Sequence, residues 1–183
     1  MKVKIILFVF GLCCLSACES GKKKDAEVLV DIIEKVQDHK GFERDEFPLG
    51  LFNEAYFQAE ADFASGCIEE LNALDTLEFS ETEQISYDLL KFRLQNKVDY
   101  NDFEMYLNPL LSDSGFHSSL VYRVRPLKSY EQTKKYLNLL NDMPRHVDEY
   151  FLLIDKGLKK GVSQPRVIFK GYESTYDMHL VDD

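Results

Sequence analysis

The stretch Ser80-Glu81-Thr82-Glu83-Gln84-Ile85-Ser86-Tyr87-Asp88-Leu89-Leu90 decides the fold class of this chain. Its first four residues form a capping box, in which the Ser80 hydroxyl accepts from the Glu83 amide while the Glu83 carboxylate reaches back. The helix that follows carries two apolar lines, which run through Ile85, Leu89, Phe92 and Asn96 and through Leu90, Leu94 and Val98. Two such lines predict a helix that is buried against more than one neighbour.

Helical spacing of apolar residues also marks the chain on the amino-terminal side of this helix. A first helix is predicted to end near Gly41, and its apolar positions are Val28, Leu29, Ile32, Ile33 and Val36. A second, longer helix is predicted from Phe52, Tyr56, Ala59, Phe63, Cys67, Leu71 and Leu74.

On the carboxyl-terminal side, residues 105–128 form a loop-rich segment that contains Asn108-Pro109 and Arg125-Pro126. Helix returns at a second capping box, Ser129-Tyr130-Glu131-Gln132, and we expect Asp142-Met143-Pro144 to break it and to start another helix. A last helix is expected to open at Ser163-Gln164-Pro165-Arg166. The prediction is an all-α, irregular multi-helix domain with about six helices.

The amino terminus predicts a cellular location. Lys2 and Lys4 precede a short apolar run, and Leu15-Ser16-Ala17-Cys18 follows it. This order is typical of a bacterial lipoprotein signal, with Cys18 as the lipidated first residue of the mature chain. The other interpretation is an ordinary secretory signal whose apolar run ends in cysteines. We therefore expect a signal peptide over residues 1–17, a lipidated tether over 18–26 and a helical domain over 27–183.

The lipid on Cys18 predicts membrane anchoring in the bacterial cell envelope, either in the periplasm or at the surface, without distinguishing the inner from the outer membrane. The sequence holds 22 basic and 32 acidic residues, and removal of the signal would make the balance two units more negative. Such a charge argues against a nucleic-acid partner. Of the four cysteines, only Cys67 would remain free after processing, and its apolar helical setting predicts a core residue.

The sequence holds no complete set of catalytic or metal-binding residues. None of its four histidines belongs to a His-Glu-x-x-His zinc motif, and no Gly-x-Ser-x-Gly nucleophile elbow occurs. His146-Val147-Asp148-Glu149 is expected to lie on an exposed helix face. Arg123 and Arg125 are candidate cleft-facing residues that could meet a carboxylate, although ordinary surface or partner-domain salt bridges are the simpler explanation.

A series of landmarks resembles a known bacterial family. The series begins at Leu71-Asn72-Ala73-Leu74 and Phe79-Ser80-Glu81-Thr82-Glu83, continues with Asn108-Pro109-Leu110 and Ser129-Tyr130-Glu131, and closes with Met143-Pro144 and Gly161-Val162-Ser163-Gln164-Pro165-Arg166. In this order and spacing, it resembles the amino-terminal part of the family called domain of unknown function 885, over roughly residues 50 to 175.

The resemblance implies a helical, zinc-dependent metallopeptidase-like protein that is much longer and often a lipoprotein. Its His-Glu-x-x-His helix would lie in a carboxyl-terminal half, so zinc is expected only there and no catalytic or metal-binding residue transfers to this chain. We expect an amino-terminal fragment, from a truncated or split gene, that is not catalytic alone and pairs with a separate carboxyl-terminal half. The alternative is a complete small lipoprotein that serves as a binding or scaffold module for another envelope protein. Either interpretation predicts an uncovered apolar face.

Overall fold

The computed structural model describes residues 24–110, 115 and 126–171, and these residues form helices and connecting loops without a strand. Four α-helices are present, namely α1 (Asp25–Asp38), α2 (Glu54–Asn72), α3 (Glu81–Asp102) and α4 (Tyr130–Lys159). Short 3₁₀ helices span Met105–Leu107 and Arg166–Phe169. The all-α class is confirmed, and the described residues hold four α-helices rather than about six. No helix among them is both long enough and apolar enough to cross a membrane.

The helix starts follow the capping residues of the sequence. Ser80 and Glu83 form the predicted reciprocal capping box at the start of α3. At the start of α4, the Gln132 amide donates to the Ser129 hydroxyl at 3.2 Å. In a full capping box the Gln132 side chain would accept from the amide of Ser129 itself. Here its side-chain oxygen accepts from the Lys128 amide, one residue earlier, at 2.7 Å.

The main core lies between α1, α2 and α3. Its buried members are Leu29, Ile32, Ala64, Cys67, Leu71, Leu90 and Leu94. Cys67 is fully buried at the centre of this cluster, which confirms its predicted place in the core. Each of these three helices contributes one apolar face, and no residue of α4 belongs to this core.

A second, smaller core joins α4 to this bundle. Tyr106, Leu107 and Leu153 are its buried members, with Phe52, Phe57 and Tyr100 packed against them. The Tyr150 ring stacks on Phe52 with centroids 3.9 Å apart. A Cβ atom at Gly157 would overlap the Leu107 carbonyl oxygen, so only glycine permits this close approach of α4.

The predicted break at Asp142-Met143-Pro144 is wrong, because α4 continues through Pro144 as a single helix of 30 residues. A proline inside a helix removes one backbone hydrogen bond, at a cost of about 3 kcal/mol. The flanking residues offset that cost, since Asp142, Arg145 and Glu149 all bond to a loop outside the helix. The predicted last helix is also wrong within the described residues, where only the 3₁₀ turn Arg166–Phe169 forms.

Two expectations about exposure are also wrong. His146 is only 7% exposed, and its ring meets Tyr150 edge-on with centroids 5.1 Å apart, so it does not lie on an exposed helix face. On α3, Leu90 and Leu94 are buried as expected, but Ile85, Leu89 and Phe92 are 59%, 57% and 64% exposed. The apolar line through Ile85, Leu89 and Phe92 therefore lies on the outer face of α3.

Candidate functional site

A cleft of about 470 Å³ opens where α1 ends, and it is the candidate site of this fold. The end of α1 and the loop over residues 40–45 form one side, and α2 and α3 form the other. Tyr56 and Glu60 enter from α2 and Lys97 from α3, with His39 opposite them. We call this site the Glu60 cleft, because Glu60 contacts groups from both of its sides.

Glu60 is the most strongly bonded group of the cleft. Its carboxylate is bonded to His39 Nε2 at 2.6 Å through one oxygen and accepts from Lys97 Nζ at 2.5 Å through the other. The side chain is only 12% exposed. Burial alone would raise the pKa of Glu60, but the bonds from Lys97 and His39 outweigh it and lower the pKa below its ordinary value.

The aromatic residues around Glu60 hold its partners in place. The His39 ring stacks on Phe63 with centroids 3.6 Å apart and an interplanar angle of 8°. A Cβ atom at Gly41 would overlap the Glu60 carboxylate and the Tyr56 ring, so a larger residue there would displace Glu60 from its present position. Burial, together with the nearby charge of Glu60, raises the pKa of Tyr56 and keeps its phenol neutral.

This chemistry favours binding over proton transfer. A general acid or base works best when its pKa lies near the working pH. The lowered pKa of Glu60 moves it away from neutrality, and the raised pKa of Tyr56 does the same in the other direction. The cleft therefore presents a fixed carboxylate, a neutral phenol and the partly exposed cation of Lys97.

A second polar cluster lies on α4, and we call it the Arg145 clamp. Arg145 donates from Nε and Nη2 to the two Asp142 oxygens, at 2.6 and 2.8 Å, and from Nη1 to Glu149 at 2.7 Å. Its Nη2 also donates to the Gly50 carbonyl at 2.8 Å. Hydrogen bonding to Arg145 lowers the pKa of Asp142 and, in return, raises the pKa of Arg145.

The carboxylates of the Arg145 clamp also accept from the loop that precedes α2. The Leu49 amide donates to Asp142 at 2.9 Å, and the Phe52 amide donates to Glu149 at 2.8 Å. Asn53, the N-cap of α2, donates its side-chain amide to Glu149 at 2.9 Å. Because every carboxylate oxygen accepts at least one of these hydrogen bonds, the clamp joins α4 to the start of α2 and to the loop before it.

The structure tests few of the site residues that the sequence suggested. Cys18, Arg123 and Arg125 lie outside the described residues, so their predicted roles stay predictions. Within the described ranges, no group of three or more His, Cys, Asp or Glu side chains is arranged to hold a metal ion. Sequence reasoning missed the Glu60 cleft, and the only local signal was the four-residue spacing that places Tyr56 and Glu60 on one helix face.

Replacement of Glu60 tests the electrostatics of the cleft. We expect Glu60→Gln to lower the free energy of unfolding by about 1–3 kcal/mol near neutral pH, because two charge-assisted hydrogen bonds are lost. Since folding lowers the pKa of Glu60, its contribution is present above the unfolded pKa and is lost as the pH falls through the folded pKa. Chemical denaturation at several pH values measures both effects.

Glu69→Gln is the matched control, since Glu69 is an exposed carboxylate on the same helix. A gap between wild type and Glu60→Gln that stays constant into acid would contradict the assigned ionisation of Glu60.

Comparison with known proteins identifies the family of this chain. The model of the family described as bacterial protein of unknown function, DUF885, matches residues 39–181. No curated protein and no solved structure matches the chain. The matched residues include His39, Glu60 and Lys97 of the Glu60 cleft, the Arg145 clamp and all of α2, α3 and α4. Because the match covers well over half of the sequence, the chain belongs to the DUF885 family of bacterial proteins.

Proposed function

We propose that this chain is a lipid-anchored, non-catalytic docking domain of the bacterial envelope, whose α4 helix forms a wall for a metallopeptidase-like carboxyl-terminal half. The lipid anchor rests on the Leu15-Ser16-Ala17-Cys18 signal. The metallopeptidase-like partner rests on the resemblance to longer, zinc-dependent proteins. Membership of the DUF885 family is consistent with both parts of the proposal.

The observation that carries the docking role is the exposed apolar stripe of α4. Residues Leu137, Leu140, Pro144, Val147, Phe151, Ile154 and Leu158 recur at alternate steps of three and four, and we call them the α4 stripe. Leu137, Leu140 and Leu158 are 52%, 38% and 58% exposed. A stripe with this spacing is the usual contact surface between packed helices.

The amino-terminal half of α4 strengthens this argument. No residue from 130 to 145 is buried, and the four buried residues of the helix all lie between His146 and Gly157. An isolated helix of about 12–15 residues is only marginally stable in water. A half-helix with exposed leucines and so little support from its own domain is suited to packing against a second polypeptide.

The other end of the α4 stripe borders an apolar depression of about 170 Å³. Leu107, Leu158 and Val162 form part of its lining, and most of the surface that it exposes is apolar. A depression beside a helical stripe can receive a side chain from a docking partner. The contact surface therefore extends from one end of α4 to the other.

The chemistry of the described residues supports a role without catalysis. Glu60 is held as a carboxylate by His39 and Lys97, and the Arg145 clamp uses its acidic oxygens to bond a loop. The sequence has no His-Glu-x-x-His motif. Zinc and the hydrolytic residues would come from the partner half, as the family resemblance implies.

The same α4 stripe would also serve the alternative function, a scaffold module that binds a different envelope protein. The two proposals differ in the occupant of the stripe. A family-type carboxyl-terminal half is favoured here, because the resemblance supplies an occupant of known chemistry.

Binding of a carboxyl-terminal half tests the occupant of the α4 stripe. We expect the full chain to bind the separately purified carboxyl-terminal half of a longer DUF885 protein that carries the His-Glu-x-x-His helix. The double variant Leu137→Asp, Leu140→Asp is expected to weaken binding by at least about tenfold, because it places two charges in the apolar contact. Titration calorimetry measures the affinity, and a peptide-hydrolysis assay with added zinc accompanies it.

Leu77→Asp is the control, since Leu77 is 90% exposed and lies in the loop between α2 and α3. Equal affinity of the double variant and the control would reject the α4 stripe as the contact. Peptide hydrolysis by this chain alone would overturn the non-catalytic assignment.

Replacement of Cys18 tests the lipid anchor. We expect Cys18→Ser to abolish labelling with a radioactive fatty acid and to move the protein from the membrane fraction to the soluble fraction, because the thiol is the site of lipid attachment. Cys14→Ser is the matched control and leaves both properties unchanged. Membrane association that survives Cys18→Ser would refute lipid anchoring at this residue.

A further inference from the structure

The outer face of α3 is a second apolar surface, separate from the α4 stripe. Ile85, Leu89, Phe92 and Asn96 lie on it, and we call these four residues the α3 stripe. With about 3.6 residues per turn, this stripe lies almost half a turn away from the buried residues Leu90 and Leu94. The helix is therefore apolar on the side that faces the core and again on the side that faces away from it.

The spacing of the α3 stripe fits a short coiled-coil seam. Steps of four, three and four place Leu89 and Asn96 at a positions and Ile85 and Phe92 at d positions of a heptad. Leucine at a with isoleucine at d would also allow larger parallel bundles. An asparagine at an a position restricts such bundles, because two asparagine side chains satisfy each other across a parallel pair of helices.

The charges beside the stripe indicate what covers it. Asp88 lies at the g position on one flank, and Arg93 lies five residues later at the e position on the other flank. In a parallel pair of helices, a g residue meets the e residue of the following heptad on the partner. Asp88 of one copy would thus meet Arg93 of a second copy, and the symmetry of the pair would form this contact twice.

Both charged groups are available for such a contact. Asp88 and Arg93 are exposed, and the one hydrogen bond described for Asp88 is from the Gln84 side-chain amide on the same helix, at 3.1 Å. Since a carboxylate accepts up to about four hydrogen bonds, Asp88 keeps capacity for a guanidinium. The stripe therefore carries its own complement in both apolar and charged positions.

We propose that the α3 stripe is a homodimer interface, in which two copies of this chain pair their α3 helices in parallel through Ile85, Leu89, Phe92 and Asn96. The occupant is a second copy, because the apolar residues of the stripe can pack against the same residues of that copy, and Asp88 can pair with its Arg93. The inference does not rest on the proposed docking role of α4, which uses a different helix.

Charge reversal tests the dimer. We expect the detergent-solubilised full chain to sediment as a dimer, and each of Asp88→Arg and Arg93→Asp to weaken dimerisation by about tenfold, because each makes both contacts repulsive. The double variant restores the opposite charges and is expected to dimerise like the wild type. An equimolar mixture of the two single variants is expected to form a mixed dimer for the same reason.

Glu69→Arg on α2 is the control for a change of net charge, and circular dichroism verifies that each variant is folded. A monomeric wild type, a larger oligomer, or single variants that dimerise as strongly as the wild type would each overturn the proposal. Failure of the double variant to restore the dimer would overturn it as well. Binding of a carboxyl-terminal half through α4 is measured separately, so either inference can fail without the other.

Asn96→Cys tests the parallel arrangement. Residues at the same a position face each other in a parallel pair, so we expect a disulfide-linked dimer under mild oxidation. Gln95→Cys is the control, because residue 95 lies at a flanking g position, where the two copies of the residue are farther apart than at an a position. Equal cross-linking of the two variants would contradict the parallel seam.

Discussion

The Arg145 guanidinium is the group on which the position of α4 depends. It bonds two carboxylates on its own helix and the Gly50 carbonyl of the loop before α2, and the same carboxylates accept the Leu49 and Phe52 amides. Its neighbours in sequence are Pro144, which weakens the helix at this point, and His146, which is buried. Hydrogen bonds to charged groups are each worth about 1.5–3 kcal/mol, so this cluster can hold a helix that has only a small apolar core.

The attachment of α4 by the Arg145 clamp explains why the domain has two exposed apolar helix faces, one on α4 and one on α3. The helices α1, α2 and α3 pack against one another through Leu29, Cys67, Leu90 and their neighbours. In contrast, α4 is held by the Arg145 clamp and the small second core. Because α4 is fixed on one side only, from its middle to its carboxyl-terminal half, its stripe stays exposed. The outer face of α3 is exposed because its opposite face already fills the bundle. Two apolar helix faces with different positions and different flanking charges suit two different partners.

Much of the local structure could be predicted from sequence, because caps and periodicity act within a few residues. Ser80 and Glu83 started α3 as expected, and Cys67 took its place in the core. The failures involve contacts between distant residues. Pro144 was expected to end a helix, but bonds from residues about 95 positions away hold the helix together. Glu60 on α2 likewise meets Lys97 on α3, 37 positions away in the sequence. No local pattern contains such information, so the candidate site was the least predictable part.

Amide hydrogen exchange of Arg145→Lys tests the role of the Arg145 clamp most directly, since lysine keeps the charge but loses the planar fork that bonds several acceptors. Exchange at Leu49, Phe52 and the α4 amides around Leu153 is expected to accelerate together, while the amides of Leu71 and Leu94 keep their protection. Equal loss of protection in α4 and in the three-helix core, or no change at Leu49 and Phe52, would contradict the account.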